Sequence, residues 1–244
     1  MQKKFETVNV LGLDFIKATQ AQFLSQLTQD SLAHKNRFVV TANPEIVLAA
    51  KDDPKYAQTL ATADYITADG IGIIKGAKIL GEPLPERVTG YDTMEALIAW
   101  AAKNDKSIFF LGAKPEVLQK VLTKAKEKYP TLKIAGSCDG YFKDENKVAQ
   151  LIKEAHPDFV FAALGFPKQE FFIAKHRELT PAIWMGVGGS FDVFSGMTKR
   201  APKWWIDHHL EWGYRLVKEP SRFIRMLALP KYLLLVYRKK FFNK

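Results

Sequence analysis

Short apolar runs at 38–41, 65–67, 107–111, 133–136, 159–164 and 183–187 alternate along the chain with amphipathic stretches. No other feature narrows the fold as much. The runs are rich in Val, Ile and Phe and read as buried strands, while 18–32, 93–103, 116–129, 145–155 and 169–179 read as helices. Pro115 stands where a first helical turn begins, directly after the run ending in FFLGA. Strands alternating with helices predict an α/β fold: a Rossmann-like, mostly parallel sheet with helices on both faces. VNVLGLDF near the start reads as a small hairpin or edge strand.

From about Met197 the pattern changes. The remaining segment is interrupted by Pro202, Pro220 and Pro230 and carries no strand signal beyond YLLLVY. It reads as an α-helical appendage, 197–244, on a catalytic body, 1–196. Charge divides the same way. Residues 199–244 hold twelve Lys/Arg against three Asp/Glu, so nine of the net ten positive charges lie there. Such asymmetry points to a polyanionic partner: a membrane surface, a nucleic acid or a phosphorylated substrate. The start, MQKKFETVNV, has no apolar run behind its basic residues, so no secretory leader is expected. The run at 232–237 falls far short of the ~20 residues of a spanning helix. A single cysteine, Cys138, excludes an intramolecular disulfide and fits a reducing compartment.

In an open α/β sheet, ligands bind outside the carboxyl ends of the strands. The unusual residues of this chain fall at those ends. TANPE (Thr41, Asn43, Glu45) follows the first strand and ADGIG (Asp69, Gly70) the second. LGAKPE (Gly112, Ala113) follows the third, LGFPKQE (Gly165, Pro167, Lys168, Gln169, Glu170) the fifth, and GVGGSFD (Gly188, Gly189, Asp192) the sixth. Small residues leading into a helix start suit a phosphate, and five such loops on one edge suggest a nucleotide or sugar-nucleotide site.

Absences narrow the chemistry. There is no phosphate loop of the Gly-x4-Gly-Lys type, no complete Gly-x-Gly-x-x-Gly, no Asp-x-Asp pair and no His-x3-His. A diphosphate handled without a metal clamp needs cationic side chains, and arginine binds phosphate oxygens in pairs. The candidates are Arg87, which follows the Asp69 loop, and Arg215, Arg222 and Arg225 in the tail, the last two on one face if that stretch is helical.

Together TANPE, ADGIG, RVTGYD, FFLGAKPEV, GFPKQE, GVGGSFDVFSG and the segment from RAPKWW to SRFIRM resemble, in the same order, the WecG/TagA/CpsF family of bacterial glycosyltransferases. The likeness covers about 38–230 and is greatest to the branch that builds the wall teichoic acid linkage unit. It implies an inverting, metal-independent transfer of N-acetylmannosamine from UDP-ManNAc, without a cofactor. The implied acceptor is the C4 hydroxyl of GlcNAc on undecaprenyl diphosphate. It also implies a C-terminal appendage that helps complete the site and meets the inner face of the cell membrane from the cytoplasm.

On that resemblance Asp69 is the expected general base, with Gly70 giving close approach and Thr41 and Asn43 holding sugar or acceptor. Arg87 and the tail arginines are expected to stabilise the departing diphosphate. The GFPKQE loop is expected to bind the nucleotide, Lys168 at phosphate and Gln169 and Glu170 at uracil or ribose. Asp92, Gly112, Ala113, Gly188 and Gly189 complete the expected substrate contacts, and Asp192 is expected either to contact substrate or to hydrogen-bond within the GGSFD loop. The end of the chain, RMLALPKYLLLVYRKKFF, mixes apolar and basic residues as an anionic membrane surface requires. Two other readings compete: another sugar of the same family, such as UDP-ManNAcA, or a non-catalytic basic module for lipid or nucleic acid. The second leaves the five polar loops unexplained, so no nucleic-acid partner is expected.

Overall fold

The computed structural model describes residues 5–202, 204, 205, 208, 213, 214, 216 and 227–242. A hairpin, β1 (Thr7–Val10) and β2 (Leu13–Ile16), precedes the first helix, α1 (Gln20–Leu32). Thr19 and Gln22 close α1 with a reciprocal capping box. The main sheet has six strands: β3 (Arg37–Ala42), β4 (Tyr65–Ala68), β5 (Ser107–Gly112), β6 (Lys133–Cys138), β7 (Phe159–Ala163) and β8 (Ile183–Gly186). Every neighbouring pair is parallel, in the order β4-β3-β8-β7-β5-β6. The six apolar runs all become strands, within a residue or two of their expected ends, and the α/β expectation holds.

Helices cover both faces. On one lie α2 (Pro44–Asp52), α3 (Pro54–Ala61), α4 (Ile71–Leu80), α7 (Glu145–Ala155), α8 (Lys168–His176) and α10 (Ala228–Phe242). On the other lie α1, α5 (Gly90–Lys103), α6 (Pro115–Lys128) and the short α9 (Ser190–Ser195). Strand residues alternate between the two cores: Phe38, Val40 and Ala42 face the first, and Val39 faces the second. Four helices lie beyond the expected set: α2, α3, α4 and α9. Two of them begin on clear signals, Asn43–Pro44 and Asp53–Pro54, where the side chain caps and proline takes the first helical position.

The C-terminal helix α10 is keyed into the body. Tyr232 and Val236 are fully buried in the first core. A Cβ at Gly76 would stand 2.1 Å from the Tyr232 hydroxyl, and one at Gly72 would stand 2.8 Å from Leu229 Cδ1. The two glycines therefore form a groove on α4 into which α10 settles. Its opposite face leaves Leu234, Tyr237, Phe241 and Phe242 exposed beside Arg238 and Lys240.

Candidate active site

Strand order brings the carboxyl ends of β4, β3, β8 and β7 side by side, and a cleft of ≈ 230 Å³ opens at them. Thr41, Asn43 and Glu45 line it from the β3–α2 turn, and Asp69 from the end of β4. Arg87 comes from the loop before α5 and Thr89 and Tyr91 from its start, Gly165 and Phe166 from the β7–α8 turn, Gln169 from the first turn of α8, and Val187 to Ser190 from the β8–α9 turn and the start of α9. Arg200 reaches it from beyond α9.

Local rules set each turn. Asn43 Oδ1 accepts from the Ile46 N–H at 3.0 Å and caps α2, so its NH2 group is what it can offer a substrate. The Asp69 N–H donates to the Ala42 carbonyl at 3.0 Å, tying its loop to β3. Gly70 lets the two turns touch, since a Cβ there would lie 2.9 Å from Pro44 Cδ. The Val88 N–H donates to the Ala68 carbonyl at 3.0 Å and lays the Arg87 loop beside Asp69. Thr41 Oγ1 donates to the Gly186 carbonyl at 3.0 Å, and Gly90 packs directly on that hydroxyl.

Gln169 is 4% exposed, and both ends of its amide are engaged. Oε1 accepts from the Gly188 N–H at 3.1 Å, and Nε2 donates to Glu170 Oε1 at 2.7 Å. Gly186 admits that side chain, because a Cβ there would meet Gln169 Nε2 at 2.7 Å. Glu170 itself is fully buried behind the cleft. Burial pushes its carboxyl pKa up, against the opposing pull of Gln169 and Tyr56.

The remaining candidates occupy other places. Lys168 Nζ donates to the Gly140 carbonyl at 3.0 Å and sits 4.5 Å from the Phe142 ring centroid. Pro167 follows a cis peptide bond at the head of α8. Gly112 and Ala113, one strand beyond β7, are not among the cleft's lining residues. A Cβ at Gly112 would fall 2.5 Å from the Ala163 backbone. The Ala113 N–H donates to the Ala163 carbonyl at 2.9 Å, and the Ala113 carbonyl accepts from the Gly140 N–H at 2.8 Å. Asp192 lies on the first turn of α9, behind the Gly188–Gly189 turn. Arg215, Arg222 and Arg225 fall outside the described residues.

Several side chains at the cleft went unremarked in the sequence, Thr89, Tyr91 and Arg200 among them. Thr89 caps α5, accepting from the Asp92 N–H at 3.0 Å. Arg200 Nη2 donates to Asp92 Oδ1 at 2.6 Å. The signal for Thr89 lay inside RVTGYD, and that for Arg200 at the head of RAPKWW, a segment whose basic residues blend into a basic tail.

The cleft thus joins two carboxylates, Glu45 and Asp69, with two guanidiniums, Arg87 and Arg200. A carboxylate can take a proton, and guanidiniums can stabilise a departing anion. Among the described residues no group of three His, Cys, Asp or Glu stands close enough to hold a metal ion. A larger hollow, ≈ 810 Å³, opens at the amino ends of β3 and β4. There Arg37 is paired with Asp30 and Asp64, and the Tyr65 hydroxyl donates to Asp30 at 2.7 Å. The smaller cleft has the position that open α/β sheets use for ligands.

Residues 8–244 match the model of the glycosyl transferase WecG/TagA/CpsF family. Three relatives share the name N-acetylglucosaminyldiphosphoundecaprenol N-acetyl-beta-D-mannosaminyltransferase. The protein from Bacillus spizizenii is 45% identical over 96% of this chain and 91% of its own length. That from Bacillus subtilis is 42% identical, over 96% and 93%. That from Staphylococcus aureus is 35% identical, again over 96% and 93%.

Proposed function

The chain belongs to the WecG/TagA/CpsF family of glycosyl transferases, and from that premise we propose that it moves N-acetylmannosamine from UDP-ManNAc to GlcNAc-diphosphoundecaprenol. The observation that carries the reading is the meeting of Asp69, Asn43, Thr41 and Arg87 in one cleft at the strand ends. The shared name and near-full-length coverage of the relatives support the choice of sugar and acceptor.

In this reading the acceptor C4 hydroxyl attacks the anomeric carbon of the donor from the face opposite UDP. The new C–O bond forms as the bond to the β-phosphate oxygen breaks, and the configuration inverts. Asp69 takes the hydroxyl proton. UDP leaves as an anion and meets Arg87, with the tail arginines Arg215, Arg222 and Arg225 as further cations. Thr41 and the Asn43 amide hold sugar hydroxyls. The turn at Gly188 and Gly189, pinned by Gln169, shapes the nucleotide side.

The acceptor is a lipid, so the enzyme works at a membrane surface. Among the described residues no helix is long and apolar enough to cross a membrane. The exposed face of α10, with Leu234, Tyr237, Phe241 and Phe242 beside Arg238 and Lys240, has the mixed character of an interfacial helix. Incubation with UDP-ManNAc and a GlcNAc-diphospholipid analogue tests the reaction by UDP release. No release with that pair, but release with another UDP-sugar, would replace the donor. Co-sedimentation with anionic vesicles tests the surface, and absence of binding at low salt would remove it.

A further inference from the structure

Arg200 is the described residue of the C-terminal segment that lines the cleft. Its guanidinium is held on two sides. Nη2 donates to Asp92 Oδ1 at 2.6 Å, and Cζ lies 4.7 Å from the centroid of the Tyr91 ring. Asp92 is held in turn, because its Oδ2 accepts from the Thr89 hydroxyl at 2.7 Å. A guanidinium carries five N–H donors in a rigid plane. Among the described residues Arg200 makes no hydrogen bond besides the one to Asp92, and its side chain is 34% exposed. One nitrogen and one face are anchored, so the remaining donors stand oriented before a ligand arrives. Pre-ordering of that kind removes much of the cost of immobilising a long side chain on binding. Arg87 lines the same cleft, so an anion there meets guanidiniums from two segments.

We propose that Arg200 binds the diphosphate of the nucleotide donor and that Asp92 and Tyr91 are its positioning residues. This rests on the reading of the cleft as a UDP-sugar site. It also ties the C-terminal segment to the reaction through a described contact, because Arg200 directly precedes Ala201, which is buried in the body.

Equilibrium binding of uridine and of UDP separates a phosphate contact from a structural one. The proteins compared are the full chain and its R200Q, R200K and D92N variants. For R200Q, UDP is expected to bind ~10- to 100-fold more weakly, the range of a charge-assisted hydrogen bond, with uridine affinity unchanged. R200K should fall between, keeping the charge and losing the fork. D92N should weaken UDP by a smaller factor, ~3- to 10-fold, through loss of pre-ordering. Equal UDP affinity in R200Q and the parent overturns the proposal. So does a parallel loss of uridine and UDP, which marks a structural role, or a loss confined to the KM of the lipid acceptor. If R200Q does not fold, R200K and D92N still carry the uridine-to-UDP contrast. If the parent chain itself binds no UDP, the nucleotide reading of the cleft is what has failed.

Discussion

The Gln169 side chain accepts from the backbone N–H of Gly188 at 3.1 Å, and so one buried amide from the first turn of α8 sets the β8–α9 turn across the cleft. Q169L removes the acceptor and leaves that N–H without its partner. The expected cost is about 1–3 kcal/mol of stability, the usual penalty for orphaning such a group. Because Gly188 borders the cleft, donor KM should also rise. Urea melts and donor titrations check both, and a variant with parental KM would mean that the turn holds its shape without Gln169.

Asp69 lines the cleft from the carboxyl end of β4, beside the turn that carries Asn43. D69N keeps the size of the side chain and removes its basicity. Transfer should fall by roughly 10²- to 10⁴-fold, the contribution of a positioned general base, while UDP affinity stays near that of the parent. Parental turnover in D69N would take Asp69 out of the role, and Glu45 would be the next carboxylate to test.

Gly76 and Tyr232 hold the C-terminal helix against α4. The Tyr232 hydroxyl is buried without a hydrogen-bond partner among the described residues, so Y232F should leave stability unchanged or raise it slightly. G76A drives a methyl into that hydroxyl and should loosen α10. In Y232F the same G76A change should cost less, although the ring carbon Cζ, 2.9 Å from the Cβ position, still crowds it. A double-mutant cycle on thermal midpoints reads the coupling directly. Additive effects would show that the two residues do not meet.

Glu170 and Asp30 give stability opposite dependences on pH. Burial raises the Glu170 pKa in the folded protein, so the unfolded chain releases this proton first. Its contribution is complete below the ordinary glutamate range and is lost as pH rises through the folded value. For Asp30, burial opposes ionisation, but Arg37, Tyr65 and Gln26 outweigh it and hold the pKa below its ordinary value. That contribution is present above the ordinary aspartate range and fades as pH falls through the folded value. E170Q should therefore gain stability relative to the parent as pH rises above the ordinary glutamate range, and D30N should lose least in acid. Denaturant midpoints from acid to mildly alkaline pH check the signs; a gap between E170Q and the parent that shrinks with rising pH would contradict the Glu170 assignment.

Much of this was legible in the linear order of residues. Runs such as FVVT and FVFAAL are too apolar for a one-sided strand and specify a sheet covered on both faces. Thr41, Asn43, Asp69, Gly165, Gln169, Gly188 and Gly189 were identifiable because they follow such runs, and all seven line one cleft. The glycines were harder to interpret. In ADGIG the spacing suggests a broken phosphate loop, yet Gly70 packs on Pro44, and Gly72 packs on Pro44 and Leu229. An absent side chain leaves no sign of whether the vacant space belongs to a ligand or to a neighbouring element.

The sequence by itself determined the elements and which residues stand at their ends, because hydrophobic periodicity and capping act over a few residues. Only the tertiary structure decided which ends meet. β7 and β8 insert between β5 and β3, so the turns at 165–169 and 187–190 face Thr41 and Asp69, while Gly112 and Ala113 are left one strand outside. It also decided that Arg200 reaches back across more than a hundred residues to Asp92, and that α10 lies on Gly72 and Gly76. Strand order and helix docking follow from how whole faces fit together, and that fit is a property of pairs of surfaces far apart in the chain.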